Sequence, residues 1–103
     1  MTHMFFITCF EKCEKDERGY FDSGDMRTFG YFDNVEACIQ TLNENVCDMH
    51  ECLYEFAVIE NIGQGIHPHS KEVAWFRWDD KRHGFFEIQK PECTCYYSNY
   101  ALG

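Results

Sequence analysis

One segment of the chain carries a helical period, and the segments on either side of it do not. In FDNVEACIQTLNENV, residues 32–46, the apolar side chains Val35, Cys38, Ile39, Leu42 and Val46 fall at i, i+3, i+4, i+7 and i+11. Glu36, Gln40, Asn43 and Glu44 occupy the other face, so the period is that of an amphipathic helix. Asp33 followed three residues later by Glu36 has the spacing of a capping box and predicts the helix start. Cys38 lies inside the apolar stripe and reads as core packing. One main amphipathic helix has one face to bury, and the simplest layer to bury it on is a sheet.

The flanking segments supply that sheet. MFFITCF (4–10), RTFGYF (27–32), YEFAVIENI (54–62), EVAWFRW (72–78) and FFEIQ (85–89) are short runs rich in aromatic and β-branched residues. GQG at 63–65 breaks the third run, and DDKRHG at 79–84 reads as the turn of a hairpin between the last two. The predicted fold class is α+β. It has a mainly antiparallel sheet of about five strands, in chain order β-β-α-β-β-β, with one main helix on one face. The 103 residues fit one domain, 1–103, and ten Phe, six Tyr and two Trp provide a core in so short a chain. Residues 11–26 form a long first connection. Either a helical turn forms there, supported by Glu11 with Lys15 and Glu14 with Arg18, or a ragged hairpin extends through Tyr20 and Phe21. The tail PECTCYYSNYALG has no period, and its aromatics predict packing on the body.

Charge narrows the partners. Nine Lys and Arg stand against 18 Asp and Glu, a net charge of −9. Such a surface repels phosphate backbones and anionic membranes, so direct nucleic-acid or membrane binding is not expected. It suits a protein partner with a basic surface. The start, MTHMFFITCF, has no basic segment and too short an apolar run for a secretory signal or membrane span, so a cytoplasmic protein is expected. In that compartment the seven cysteines, at 9, 13, 38, 47, 52, 93 and 95, would stay reduced.

CDMHEC at 47–52 is the densest group of metal-ligand types. Cys47, His50 and Cys52, completed by Cys93 or Cys95, would make a tetrahedral zinc shell. The spacing C-x2-H-x-C lacks the paired C-x2-C knuckle, however, and Asp48 with Glu51 repeats the capping-box spacing. The favoured reading is a second short helix starting at Asp48, with Met49 and Leu53 as its buried pair and no metal or cofactor. Zinc is the alternative. Cys38 and Cys47 would lie about 180° apart on a continuous helix, too far around to share a site. His67-Pro68-His69 reads as a loop, and GQG lacks the third glycine and following helix of a phosphate cradle. Asp79-Asp80 beside Lys81, Arg82 and Gly84 is ordinary turn chemistry, and no nucleophile-and-base pattern supports catalysis.

On 72–78, Phe76 and Trp78 share one side of a strand, and Trp75 and Arg77 share the other. If Phe76 faces the helix, Trp75 and Arg77 lie on the open face, where an exposed Trp beside an Arg has hot-spot composition or makes a stacking platform. The opposing reading is that the aromatic tail folds over that face.

The segments RTFGYFDNVEACIQTLNENVCDMHECLYEFAVIENIGQGIHP, WFRW and the terminal ALG resemble small proteins of intestinal Gram-positive anaerobes and their prophages. The resemblance spans most of the chain but not the cysteines. It implies a mobile-element or accessory gene and carries over no activity and no site residues. The resulting expectation is a small, acidic, non-enzymatic binding protein that blocks a basic surface of a host protein. Asp16, Glu17, Asp22 and Asp25 of the 11–25 loop, with Asp79 and Asp80, would make the contact. The alternatives are nucleotide binding by Trp75, Arg77, His67 and His69, the zinc domain, and a homodimer through the open sheet face.

Overall fold

The computed structural model describes residues 3–11, 14–15, 17–18, 21–22, 26–63, 70–91 and 101. Strands β1 (His3–Glu11), β4 (Met26–Phe32), β5 (Tyr54–Gly63), β6 (Ser70–Asp79) and β7 (Gly84–Ile88) form one antiparallel sheet in the order β4-β1-β5-β6-β7. A second, two-stranded sheet pairs β2 (Glu14–Lys15) with β3 (Phe21–Asp22). The fold is α+β, with one helix, α1 (Val35–Asn43), packed on the sheet. β4 and β5 both pair antiparallel with β1, so α1 is the crossover that carries the chain past β1. The small β2–β3 pair matches the ragged-hairpin alternative for the first connection, and Glu14 and Lys15, which the other alternative puts in a helical turn, lie in β2.

Alternation on the strands sorts the apolar residues into two layers. Under α1 lie Ile7, Cys9, Ala57, Ile59, Phe76 and Phe85, with Cys38 and Leu42 of the helix pressed onto them. On the far face Phe10, Phe56, Val58 and Trp75 form a second buried cluster. Burying apolar surface on both faces explains why β5 reads as a continuous apolar run rather than an alternating one. Three register jumps interrupt the ladders. They leave Phe29 of β4, Glu55 of β5 and Val73 of β6 as extra residues opposite their neighbours.

The helix begins one residue later than its capping pattern predicts. Asn34, in extended conformation, is the cap: its Oδ1 accepts the Ala37 N–H at 2.8 Å. Asp33 instead accepts from the Asn34 side-chain amide at 2.9 Å, which holds the capping group in place. At the other end Asn45 adopts a left-handed conformation (φ 49°) and stops the helix. Val46, expected in the buried stripe, therefore falls beyond the helix and is 41% exposed. The C-terminal end of α1 lies against the start of β7 with no room between them. A Cβ on Gly84 would stand 2.0 Å from the Asn43 carbonyl oxygen.

The second helix expected at Asp48 does not form. A 3₁₀ turn spans Val46–Asp48, and Asn45, Cys47, Asp48, Glu51 and Cys52 all have positive φ. Asn45 organises this segment. Its Oδ1 accepts the His50 N–H at 3.0 Å, and its Nδ2 donates to Asp48 Oδ1 at 3.1 Å. Asp48 is thus drawn sideways by Asn45 instead of capping, and its own φ of 52° is not that of an N-cap. Met49 is buried as expected, but Leu53 points outward and is 45% exposed.

Candidate functional site

The aromatic strand is arranged as its alternation predicts, but its exposure differs. Trp75 and Arg77 share the face away from α1, yet Trp75 is only 4% exposed, packed with Phe10, Phe56 and Val58. The indole ring lies 5.6 Å from the Phe10 ring and has the Lys90 ammonium over it at 5.6 Å. It fills core, so the stacking platform expected there has no open ring. On the same face Glu60 is fully buried between its neighbours, accepting from the Ser70 hydroxyl and from the backbone N–H of Ala101 at 2.9 Å. His67, His69, Asp16, Asp25, Cys93 and Cys95 lie outside the described residues. So does the side chain of Asp22, while Glu17 is exposed in a turn.

The Asp79-Asp80 turn is internally committed. Asp79 Oδ1 accepts the backbone N–H groups of Lys81 (2.9 Å) and Arg82 (3.2 Å), and its Oδ2 takes the Arg82 Nε–H at 2.8 Å. These bonds, the Arg82 side chain first, hold the Asp79 carboxyl below its ordinary pKa. Asp80 accepts the Trp78 indole N–H at 2.6 Å. Both carboxylates shape the turn, as the turn reading of DDKRHG expects.

In CDMHEC, His50 lies flat on Trp78, with ring centroids 3.8 Å apart and planes 2° from parallel. Its Nδ1 stands 2.7 Å from the Tyr54 carbonyl oxygen, which can only accept, so Nδ1 carries the proton. Cys47 and Cys52 are exposed on the left-handed segment around it. Among the described residues no three His, Cys, Asp or Glu side chains are grouped to hold a metal ion. The buried thiols have lost their acidity. Burial pushes Cys38 up to about 11 and raises Cys9 further still.

Two features emerge that the sequence reading passed over. The first is a cation-free stretch: residues 28–70 contain no Lys or Arg. They include all of α1 and the 44–53 segment. There Asp33, Glu36, Glu44 and Asp48 are exposed, and none of the four forms an ion pair among the described residues. Glu51 on the same side pairs with Arg27 at 3.1 Å. Val46 and Leu53 are exposed in the same stretch, and Val46 lines an apolar hollow of about 200 Å³ together with Phe29, Tyr31, Phe32, Cys47 and Met49. The missing lysines and arginines could be read directly from the sequence. The second feature is a larger hollow of about 550 Å³ at the β6–β7 hairpin, walled by Trp78, Phe86 and Ile88 and edged by charged side chains.

Comparisons with family models, with curated proteins and with solved structures return no match. No helix among the described residues is long and apolar enough to cross a membrane.

Proposed function

We propose that the chain is a non-enzymatic acidic binding protein whose partner presents a basic surface with an apolar centre. The observation that carries this reading is the stretch 28–70 without Lys or Arg, in which the exposed Glu36, Glu44 and Asp48 form no ion pair among the described residues and Val46 and Leu53 are exposed. Carboxylates without local counter-ions steer a basic partner toward this stretch, and the apolar side chains add desolvated contact once it arrives. This moves the contact from the 11–25 loop and the Asp79-Asp80 turn, where the turn carboxylates are already engaged. If the chain has the prophage origin that its sequence resemblance implies, the partner is a host protein, with a nuclease or defence factor as the kind of protein whose basic surface would be covered.

The test compares the wild-type chain with the E36K/E44K/D48K variant as baits in extract from a host bacterium. Both baits are first shown to be folded by circular dichroism. The proposal expects proteins held by the wild type, released by raising salt and lost with the variant. Identical retention by both baits overturns it.

A further inference from the structure

We propose that the apolar hollow between β4 and the 46–49 segment receives one large apolar side chain of the partner, flanked in that partner by Lys or Arg. The inference rests on the acidic-binding reading above and names the anchor that the partner has to carry.

β4 lies at the edge of the sheet, and none of the residues lining the hollow is charged. Ile7 and Gly30 line it from the sheet, where they are register partners on β1 and β4. Directly paired residues share a face, and Ile7 faces α1. Gly30 brings no side chain to that face, and a Cβ there would meet nothing within 4 Å. Val46, Cys47 and Met49 line the hollow from the chain that leaves α1. The stripe of the helix would carry Val46 into the core, yet Asn45 turns left-handed and leaves Val46 41% exposed. Cys47 and Asp48 follow with φ of 57° and 52°, a conformation unfavourable to any residue with a side chain. Local preference favours neither this backbone nor the exposed valine, and departures of that kind gather at binding sites.

Volume decides the size of the occupant. The hollow holds about 200 Å³, below the ~300–1,000 Å³ of small-molecule sites. An apolar cavity of about 150 Å³ takes up benzene, so the space suits a single Leu or Phe side chain.

Charge decides the neighbours of that side chain. Asp33 directly follows Phe32, Asp48 lies between Cys47 and Met49, and Glu44 precedes Val46 by two positions. All three carboxylates are exposed, and none forms an ion pair among the described residues. Consecutive Cα atoms stand about 3.8 Å apart, so each lies within reach of a Lys or Arg adjoining the inserted side chain. A neutral or acidic segment leaves these carboxylates without a counter-ion. A second copy of this chain, at net charge −9, meets them with like charge.

The experiment is a ¹H–¹⁵N NMR titration of the full chain with two end-blocked peptides, Lys-Lys-Leu-Lys-Lys and Lys-Lys-Ala-Lys-Lys. The leucine peptide should shift the Gly30, Val46 and Cys47 amide signals to saturation and bind about tenfold more tightly than the alanine peptide. Gly30→Leu, which adds a side chain where the hollow is empty, should bring the two peptides level and leave their salt-dependent binding in place. Val46→Ser, at an exposed position, removes part of the wall and should shrink the preference for leucine. E36K/E44K/D48K should weaken both peptides alike. Equal, salt-dependent binding of the two peptides by the wild type, or a leucine preference unchanged in both hollow variants, overturns the proposal and leaves the acidic partner reading standing. Absence of saturating shifts with either peptide also overturns it, and the extract experiment then decides the partner reading separately. Gly30 and Val46 signals that move with protein concentration alone assign the hollow to a second copy and overturn it as well.

Discussion

Replacing Gly84 by alanine tests the contact that fixes the helix on the sheet. Gly84 opens β7, pairs with Asp79 and lies under the end of α1. An added Cβ would stand 2.0 Å from the Asn43 carbonyl oxygen, 2.8 Å from its carbon and 3.3 Å from Phe86 Cε2. The first two atoms are backbone, held by the helix, so no side-chain rotation relieves the overlap. Either the last turn of α1 lifts or β7 slides, and each movement disturbs the fully buried Leu42 and Phe85. Overpacking of this kind costs about 3 kcal/mol. In a domain near this size each kcal/mol lowers Tm by roughly 4–8 °C, so a drop of roughly 12–24 °C is expected. Urea unfolding followed by circular dichroism should show a lower midpoint with an unchanged slope. Gly30→Ala is the matched control, because its Cβ would meet nothing within 4 Å. In a strand that replacement is neutral or mildly stabilising. If G84A stays within about 0.5 kcal/mol of the wild type, the close approach of α1 to β7 is refuted.

Three further outcomes follow from the same structure. Asn45→Ala removes two side-chain hydrogen bonds and leaves alanine in a left-handed conformation. It should cost about 2–3 kcal/mol in urea unfolding, with Asn45→Gly milder by about 1 kcal/mol because glycine accepts that backbone, and a reversed ranking would contradict the assigned role. Under native conditions a maleimide followed by peptide mapping should modify exposed Cys47 and Cys52 well before buried Cys9 and Cys38, and early labelling of Cys9 would contradict its burial. Raising pH should weaken the fold between about 9 and 11: unfolded thiols ionise near 9.0, whereas Cys38 in the folded chain holds its proton to about 11. The stability contributed by these thiols is therefore complete below pH 9 and lost above it, and C9V/C38V should flatten the alkaline fall in urea midpoint.

The sheet and helix were legible because their periods are clean. Cys38 and Leu42 are fully buried where the 3.6-residue stripe places them, and Phe76 and Trp75 fall on opposite faces as a two-residue period requires. The helix boundary was readable to one residue, since Asp33 and Asn34 are both capping types and only the local geometry chooses Asn34. The 44–53 segment was not readable. Its conformation depends on one asparagine bonding to residues three and five positions ahead and on non-glycine residues in left-handed conformation, and no periodicity records either. Glu55 is similar. Its place at the β6–β7 hollow follows from a register jump, which a strand pattern conceals. Trp75 shows the limit of alternation, which gives the face of a side chain but not what covers that face.

The hydrogen bond from Ala101 to Glu60 spans 41 positions and joins the centre of the sheet to a residue translated long afterwards. During synthesis on a ribosome, β1, β4 and β5 emerge first, and Glu60 comes out with them while this donor is still unmade. A chain interrupted before Ala101 would carry a carboxyl group in the interior with one of its donors missing, a defect of about 1–3 kcal/mol in a fold of only modest stability. The same contact therefore distinguishes chains that reach Ala101 from chains interrupted before it, and proteases would remove the latter preferentially.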